Sequence, residues 1–101
     1  MKDTEIIDLY WARDQQAIAE TQKAYGKYCY SIAWHILFNK EDSDECVNDT
    51  WLRAWNAIPP KRPGRLEVFL GTITRNLSLD RWKERHTMKR GNGEMMLALD
   101  E

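Results

Sequence analysis

Apolar residues recur at helical spacing along most of this chain. Ile6, Leu9 and Tyr10 share one face of a short helix over residues 5–13, with Thr4 placed to cap it. Asp14 offers a fresh cap for a long helix reaching about Phe38. Its stripe of Ile18, Thr21, Tyr25, Cys29, Ile32 and Ile36 advances in steps of three and four, widened by Tyr28, Ala33 and Leu37. Gly26 within it costs about 1 kcal/mol relative to Ala, so close packing against a neighbour is expected there. After a polar turn at residues 39–42, Ser43 or Asp42 can cap a third helix whose first turn carries Asp44 and Glu45, suited to the helix dipole. Pro59 and Pro60 must end it. A fourth helix spans residues 66–86, with Leu66, Phe69, Leu70, Ile73 and Leu77 inside and Gly71, Thr74, Arg75, Ser78, Trp82 and Arg85 about opposite. No alternating run predicts a strand. The pattern therefore predicts an all-α fold, a compact bundle of four helices over residues 1–86, followed by a linker over residues 87–101.

The third helix has the most unusual pattern. Cys46, Val47, Thr50, Trp51, Ala54 and Ile58 fall in one broad sector, as a core-facing helix requires. Glu45, Asn48, Asp49, Leu52 and Asn56 fall opposite. Asn and Asp are poor helix-interior residues because their short side chains compete for nearby backbone groups. A long Leu amid such polar residues has no intramolecular reason to be there, so this face is expected to meet a partner.

Charge separates the chain further. The net charge is −1, yet residues 61–90 hold nine bases against three acids, a local charge of +6, so the remainder carries −7. A basic third on an acidic remainder suggests one surface for a polyanion and another for something else. The two cysteines, Cys29 and Cys46, lie among apolar helix positions without a CxxC or a nearby histidine, which predicts buried reduced thiols and fits a cytoplasmic location. The first residues lack a signal-peptide apolar run, and no stretch is long enough to cross a membrane.

Catalytic chemistry finds little support. His35 and His86 lie on different helices and belong to no triad or metal-ligand pattern; no P-loop or dinucleotide fingerprint occurs. No catalytic residue, metal or cofactor is predicted. The outer stripe of the fourth helix is more informative. Arg75, Arg81, Lys83 and Arg85 can neutralise phosphates, Thr72, Thr74, Asn76 and Ser78 can hydrogen-bond, and Trp82 offers a flat stacking surface. Gly71 would let nucleic acid approach the backbone closely. Spacing alone leaves a solvated basic face as the competing interpretation.

Together, Glu45-Cys46-Val47-Asn48-Asp49-Thr50-Trp51-Leu52-Arg53-Ala54-Trp55, the basic loop after it, and Phe69-Leu70-x-x-Ile73-x-Arg75-Asn76-Leu77-x-Leu79-Asp80 resemble bacterial RNA polymerase sigma factors. The similarity is to region two, the promoter-melting domain, of the extracytoplasmic-function group, and spans roughly residues 9–90. It implies a non-enzymatic initiation factor. The third helix would dock on the clamp coiled coil of the polymerase largest subunit through Glu45, Asn48, Asp49, Leu52, Arg53 and Asn56. The loop and fourth helix would hold the non-template strand of the minus-ten promoter element through Lys61, Arg62, Arg65, Arg75, Asn76, Ser78, Trp82, Lys83 and Arg85. Family members are commonly held by an anti-sigma factor covering these faces. Asn48 stands where the family often has Gln, Cys46 where it has Leu, Phe69 where it has Trp and Gly71 where it has an aromatic. Asp80 matches a family position but falls toward the inner side, which suggests a structural role. The family's C-terminal domain, which reads the minus-thirty-five element, is not among these residues, giving the expectation of a fragment of a longer protein. Two rivals remain from the residues themselves: a duplex-binding transcription regulator and a helical protein-interaction module.

Overall fold

The computed structural model describes residues 1–90, with side chains as far as His86, and arranges them as four helices. They are α1 (Asp3–Trp11), α2 (Gln16–Leu37), α3 (Lys40–Ala57) and α4 (Leu66–Arg90). Helix number, order and type match the hydrophobic periodicity. The starts differ because other groups satisfy the free amides. The Glu5 carboxylate accepts the Lys2 N–H at 2.8 Å, so α1 begins before Thr4. Asn39 Oδ1 accepts the Asp42 N–H at 2.8 Å, so α3 begins before Asp42 and Ser43 and carries both into the interior. Asp14 Oδ1 accepts the Gln16 N–H at 2.9 Å, close to its expected capping role. At the other end, α4 continues through Arg90, past the expected stop at His86. The rest of the expected linker, residues 91–101, lies outside the described residues.

The long α2 packs against all three other helices, and α3 also packs against α4. One layer of the interior is apolar: Ile6, Ile7, Tyr10, Ala17, Cys29, Trp51, Ala54, Ile58, Leu66 and Leu70 form a single cluster. Burying each large aliphatic among them contributes about 1.5–3 kcal/mol. Beside it lies a layer of small polar side chains. Thr50 and Thr74 meet across α3 and α4 with their hydroxyl oxygens 2.8 Å apart, and Ser78 is fully buried. Each of these hydroxyls reaches the carbonyl four residues earlier: Thr50 to Cys46, Thr74 to Leu70 and Ser78 to Thr74, at 2.8–3.0 Å. Back-bonding of this kind lets a hydroxyl sit in a helix contact without an orphaned proton.

This polar layer corrects the orientation expected for α4. The buried positions are Leu66, Leu70, Gly71, Thr74 and Ser78, whereas Phe69, Ile73 and Leu77 are only half-buried. The helix is thus turned by about a quarter revolution from the orientation that its hydrophobic residues suggest. Small residues win the inward positions because α2, α3 and α4 approach closely there. Gly71 is part of that contact. A Cβ added to it would lie 2.7 Å from the Tyr28 hydroxyl, so its smallness makes room for that ring of α2. Gly26, expected to be closely packed, has open space where its Cβ would be. Both cysteines are buried, and burial pushes each thiol up from its ordinary value.

Candidate functional site

The odd face of α3 is exposed among the described residues. Glu45, Asn48, Asp49, Leu52, Arg53 and Asn56 are all exposed, and Leu52 shows 57% of its surface to solvent. The opposite side of the same helix buries Cys46, Thr50, Trp51 and Ala54, with Val47 half-buried. Burial of that side fixes the rotation of α3, and so holds Leu52 outward.

The basic residues are distributed over a loop and a helix. Lys61, Arg62 and Arg65 are exposed on the connection between α3 and α4, where the Leu66 anchor and the buried Ile58 fix the two ends. Arg75, Asn76 and Lys83 are exposed on α4, on one side with Val68 and Thr72. That side borders a groove of about 610 Å³ between α2 and α4, lined by Tyr28, Ile32, His35, Val68, Thr72 and Arg75 among others. Asp80, expected toward the inner side, is exposed.

Two expected strand contacts require correction or qualification. Ser78 is fully buried, with its hydroxyl donating to the Thr74 carbonyl at 2.8 Å, so it does not belong to the outer surface. Trp82 is half-buried and stacked on His86, with ring centroids 3.9 Å apart, so only part of the indole is available. His86 Nδ1 is also 2.7 Å from the Trp82 carbonyl, which fixes the stack.

An ion network joins the two faces. Asp42 is 5% exposed and accepts Arg85 at 2.7 Å and Arg81 at 3.4 Å. Arg81 also reaches Glu45 at 2.6 Å. Glu45 and Arg85, read in the sequence as contacts for two different partners, are therefore linked through Arg81 and Asp42. Burial opposes the Arg81 charge, but the Glu45 and Asp42 carboxylates outweigh it and the net direction is upward.

Sequence reasoning missed the role of Arg13. Its guanidinium donates to the carbonyls of Trp55 at 2.9 Å and Ile58 at 2.8 Å, and lies 3.7 Å from the centroid of the Trp55 ring. A cation there satisfies carbonyls left open at the end of α3 and suits the negative end of its dipole. Arg13 itself has the left-handed backbone (φ 56°), uncommon for a residue with a Cβ. Its partners lie 42 and 45 residues away, and no local signal points to them.

Among the described residues no group of three or more His, Cys, Asp and Glu side chains could hold a metal ion, and no helix is long and apolar enough to cross a membrane. What the geometry presents is an all-helical domain with a polar, leucine-bearing face on one helix and a basic surface on the next loop and helix. Residues 22–87 match the family model of sigma-70 region 2, and the chain belongs to that family. It is similar to the ECF RNA polymerase sigma factor SigE of Mycolicibacterium smegmatis, with 27% identity over 66 residues. The match covers 65% of this chain and 26% of that protein, so the chain spans about a quarter of its relative's length. No solved structure matches the chain. The likeness to the extracytoplasmic-function group carried by the motif residues thus agrees with both findings.

Proposed function

We propose that this chain is the part of a cytoplasmic extracytoplasmic-function sigma factor that binds core RNA polymerase and opens the minus-ten promoter element. It would do so by binding alone, without catalysing a covalent reaction. The observation that carries the proposal is the exposed α3 face, with Leu52 projecting from polar residues, in a chain whose residues 22–87 match sigma-70 region 2. On this reading Leu52 supplies an apolar anchor for the clamp coiled coil of the largest subunit. Asn48, Asp49, Arg53 and Asn56 would form a polar rim around it, the usual anatomy of a non-obligate interface.

The loop and the outer side of α4 would hold the displaced non-template strand. Lys61, Arg62, Arg65, Arg75 and Lys83 are exposed and would neutralise phosphates, Asn76 would hydrogen-bond, and the accessible part of Trp82 would support a base. Opening a base pair costs a few kcal/mol, and stacking one freed base can return about 1–3. Several phosphate contacts then keep the strand from re-annealing. An anti-sigma factor covering both faces would block both steps.

The test is binding to purified bacterial core RNA polymerase, with the parent chain beside Leu52→Ala combined with Asp49→Lys. The parent is expected to bind, and the double variant to lose binding while keeping its helical circular dichroism and thermal midpoint. A folded double variant that still binds equally well would refute the α3 assignment.

A further inference from the structure

Helix α1 lies outside the family match, which begins at residue 22. Its last residue, Trp11, is 41% exposed, although an indole is usually largely covered in a folded domain. The Arg62 guanidinium faces that ring, 5.3 Å from its centroid. Arg62 is held there by Asp8, one turn earlier on α1, at 2.9 Å. Lys61 and Arg65, the other bases of the same loop, are both exposed.

This aromatic is fixed from two directions. Tyr10, its immediate neighbour, is fully buried, and its hydroxyl lies 2.7 Å from that of Thr21 on α2. Just beyond it, Arg13 binds the carbonyls of Trp55 and Ile58 at the point where the basic loop leaves α3. The end of α1 and the start of the loop are thereby clasped together. A rigid exposed ring beside a guanidinium and further cations is the combination that retains single-stranded nucleic acid, because the ring accepts any base and the cations accept phosphates. Asp8 does not oppose this. It orients the planar face of Arg62 through one edge of the guanidinium, leaving the other edge, with Lys61 and Arg65, to meet phosphates.

We infer that Trp11 and Arg62 form a stacking position for an unpaired base, an aromatic site on a different helix from Trp82. The inference rests on the proposal that the basic loop holds a displaced strand. A merely mechanical contact, in which Trp11 staples the loop to α1, makes a different prediction. It requires apolar bulk but no flat ring.

The experiment measures fluorescence anisotropy of a labelled pool of short randomised single-stranded oligodeoxynucleotides with the full chain, Trp11→Phe and Trp11→Leu. Thermal midpoints are recorded alongside. Trp11→Leu is expected to weaken binding roughly tenfold, the value of one stacked base, while Trp11→Phe stays within about threefold of the parent. A bromodeoxyuridine-substituted pool crosslinked by ultraviolet light should label the tryptic peptide of residues 3–13, in which Trp11 is the sole tryptophan. If the parent binds and Trp11→Leu binds as well, or if Leu and Phe weaken binding equally, the stacking position is overturned while the loop keeps its proposed role. If the parent chain binds no single strand, both ideas fall.

Discussion

Tyr10 and Thr21 hold α1 onto α2 through a hydrogen bond whose protons can be counted. Both side chains are fully buried. The Thr21 hydroxyl donates its one proton to the Ala17 carbonyl at 2.7 Å, so the 2.7 Å contact with Tyr10 must use the phenolic proton. Burial pushes the Tyr10 phenol up from its ordinary value, with the Thr21 hydroxyl partly offsetting it. Thr21→Val preserves shape and β-branching but leaves a buried phenolic O–H with no acceptor, at a cost of about 2 kcal/mol. Tyr10→Phe removes one hydrogen bond and orphans nothing, since Thr21 still has its carbonyl, so it costs about 1 kcal/mol. The double variant has no polar group left to desolvate and should be close to Tyr10→Phe alone. The three variants are thus strongly non-additive, with a coupling of about 2 kcal/mol.

Urea denaturation followed by helical circular dichroism measures this directly, provided the slopes agree among variants. At about 4–8 °C per kcal/mol for a domain of this size, Thr21→Val should lower the thermal midpoint by roughly 10 °C and the double variant by about half that. Simple addition of the two single costs would refute the assignment of the phenolic proton. So would a Thr21→Val variant no less stable than Tyr10→Phe.

Two further predictions concern titration and the ion network. Tyr25 donates to Asp3 Oδ1 at 2.5 Å, and burial, then that bond and the Asp3 charge, push its phenol up to about 12 from 10.0. Since the folded value lies above the unfolded one, this contribution to stability is present below about pH 10 and is lost as pH rises towards 12; Tyr25→Phe should flatten that limb of a stability–pH profile. Asp42→Ala should cost about 2 kcal/mol in urea denaturation, because it strips both Arg81 and Arg85 of a mostly buried carboxylate. Arg85→Ala should cost less than about 1 kcal/mol, since Arg85 is 57% exposed and Arg81 remains to partner Asp42; equal costs would contradict this asymmetry.

The parts of this fold legible in the sequence are those where hydrophobicity and burial coincide. The two faces of α3 are so different that its rotation followed from periodicity, down to an outward Leu52. On α4 the same reasoning misplaced the inward side, because Thr74 and Ser78 are buried by satisfying their own hydroxyls on the preceding turn. A threonine that bonds back to its helix and one that faces water have the same letter. Asp42 was legible only as a cap, since its burial depends on arginines 39 and 43 residues further along. The clasp made by Arg13 was illegible for the same reason.

The ion network also decides which substitutions can test the proposed faces. Glu45 belongs to the α3 surface, but it is bound to Arg81, which in turn reaches the buried Asp42. Reversing its charge would release Arg81 and disturb the end of α4 from which Lys83 and Arg85 project. Loss of polymerase binding in such a variant could then arise from a shifted α4 as readily as from a lost contact. Leu52 carries no such ambiguity: it is 57% exposed, lies outside the core cluster, and makes its case only through what it meets on another molecule. On α4, Arg75 plays the corresponding part, because it projects beside the groove and away from the Asp42 network. Arg75→Ala should weaken single-strand binding and reduce its salt dependence by about one phosphate's worth, without altering polymerase binding. Coupled loss of both activities in Arg75→Ala would mean that the two faces are not separable, and would refute the division of labour between α3 and α4.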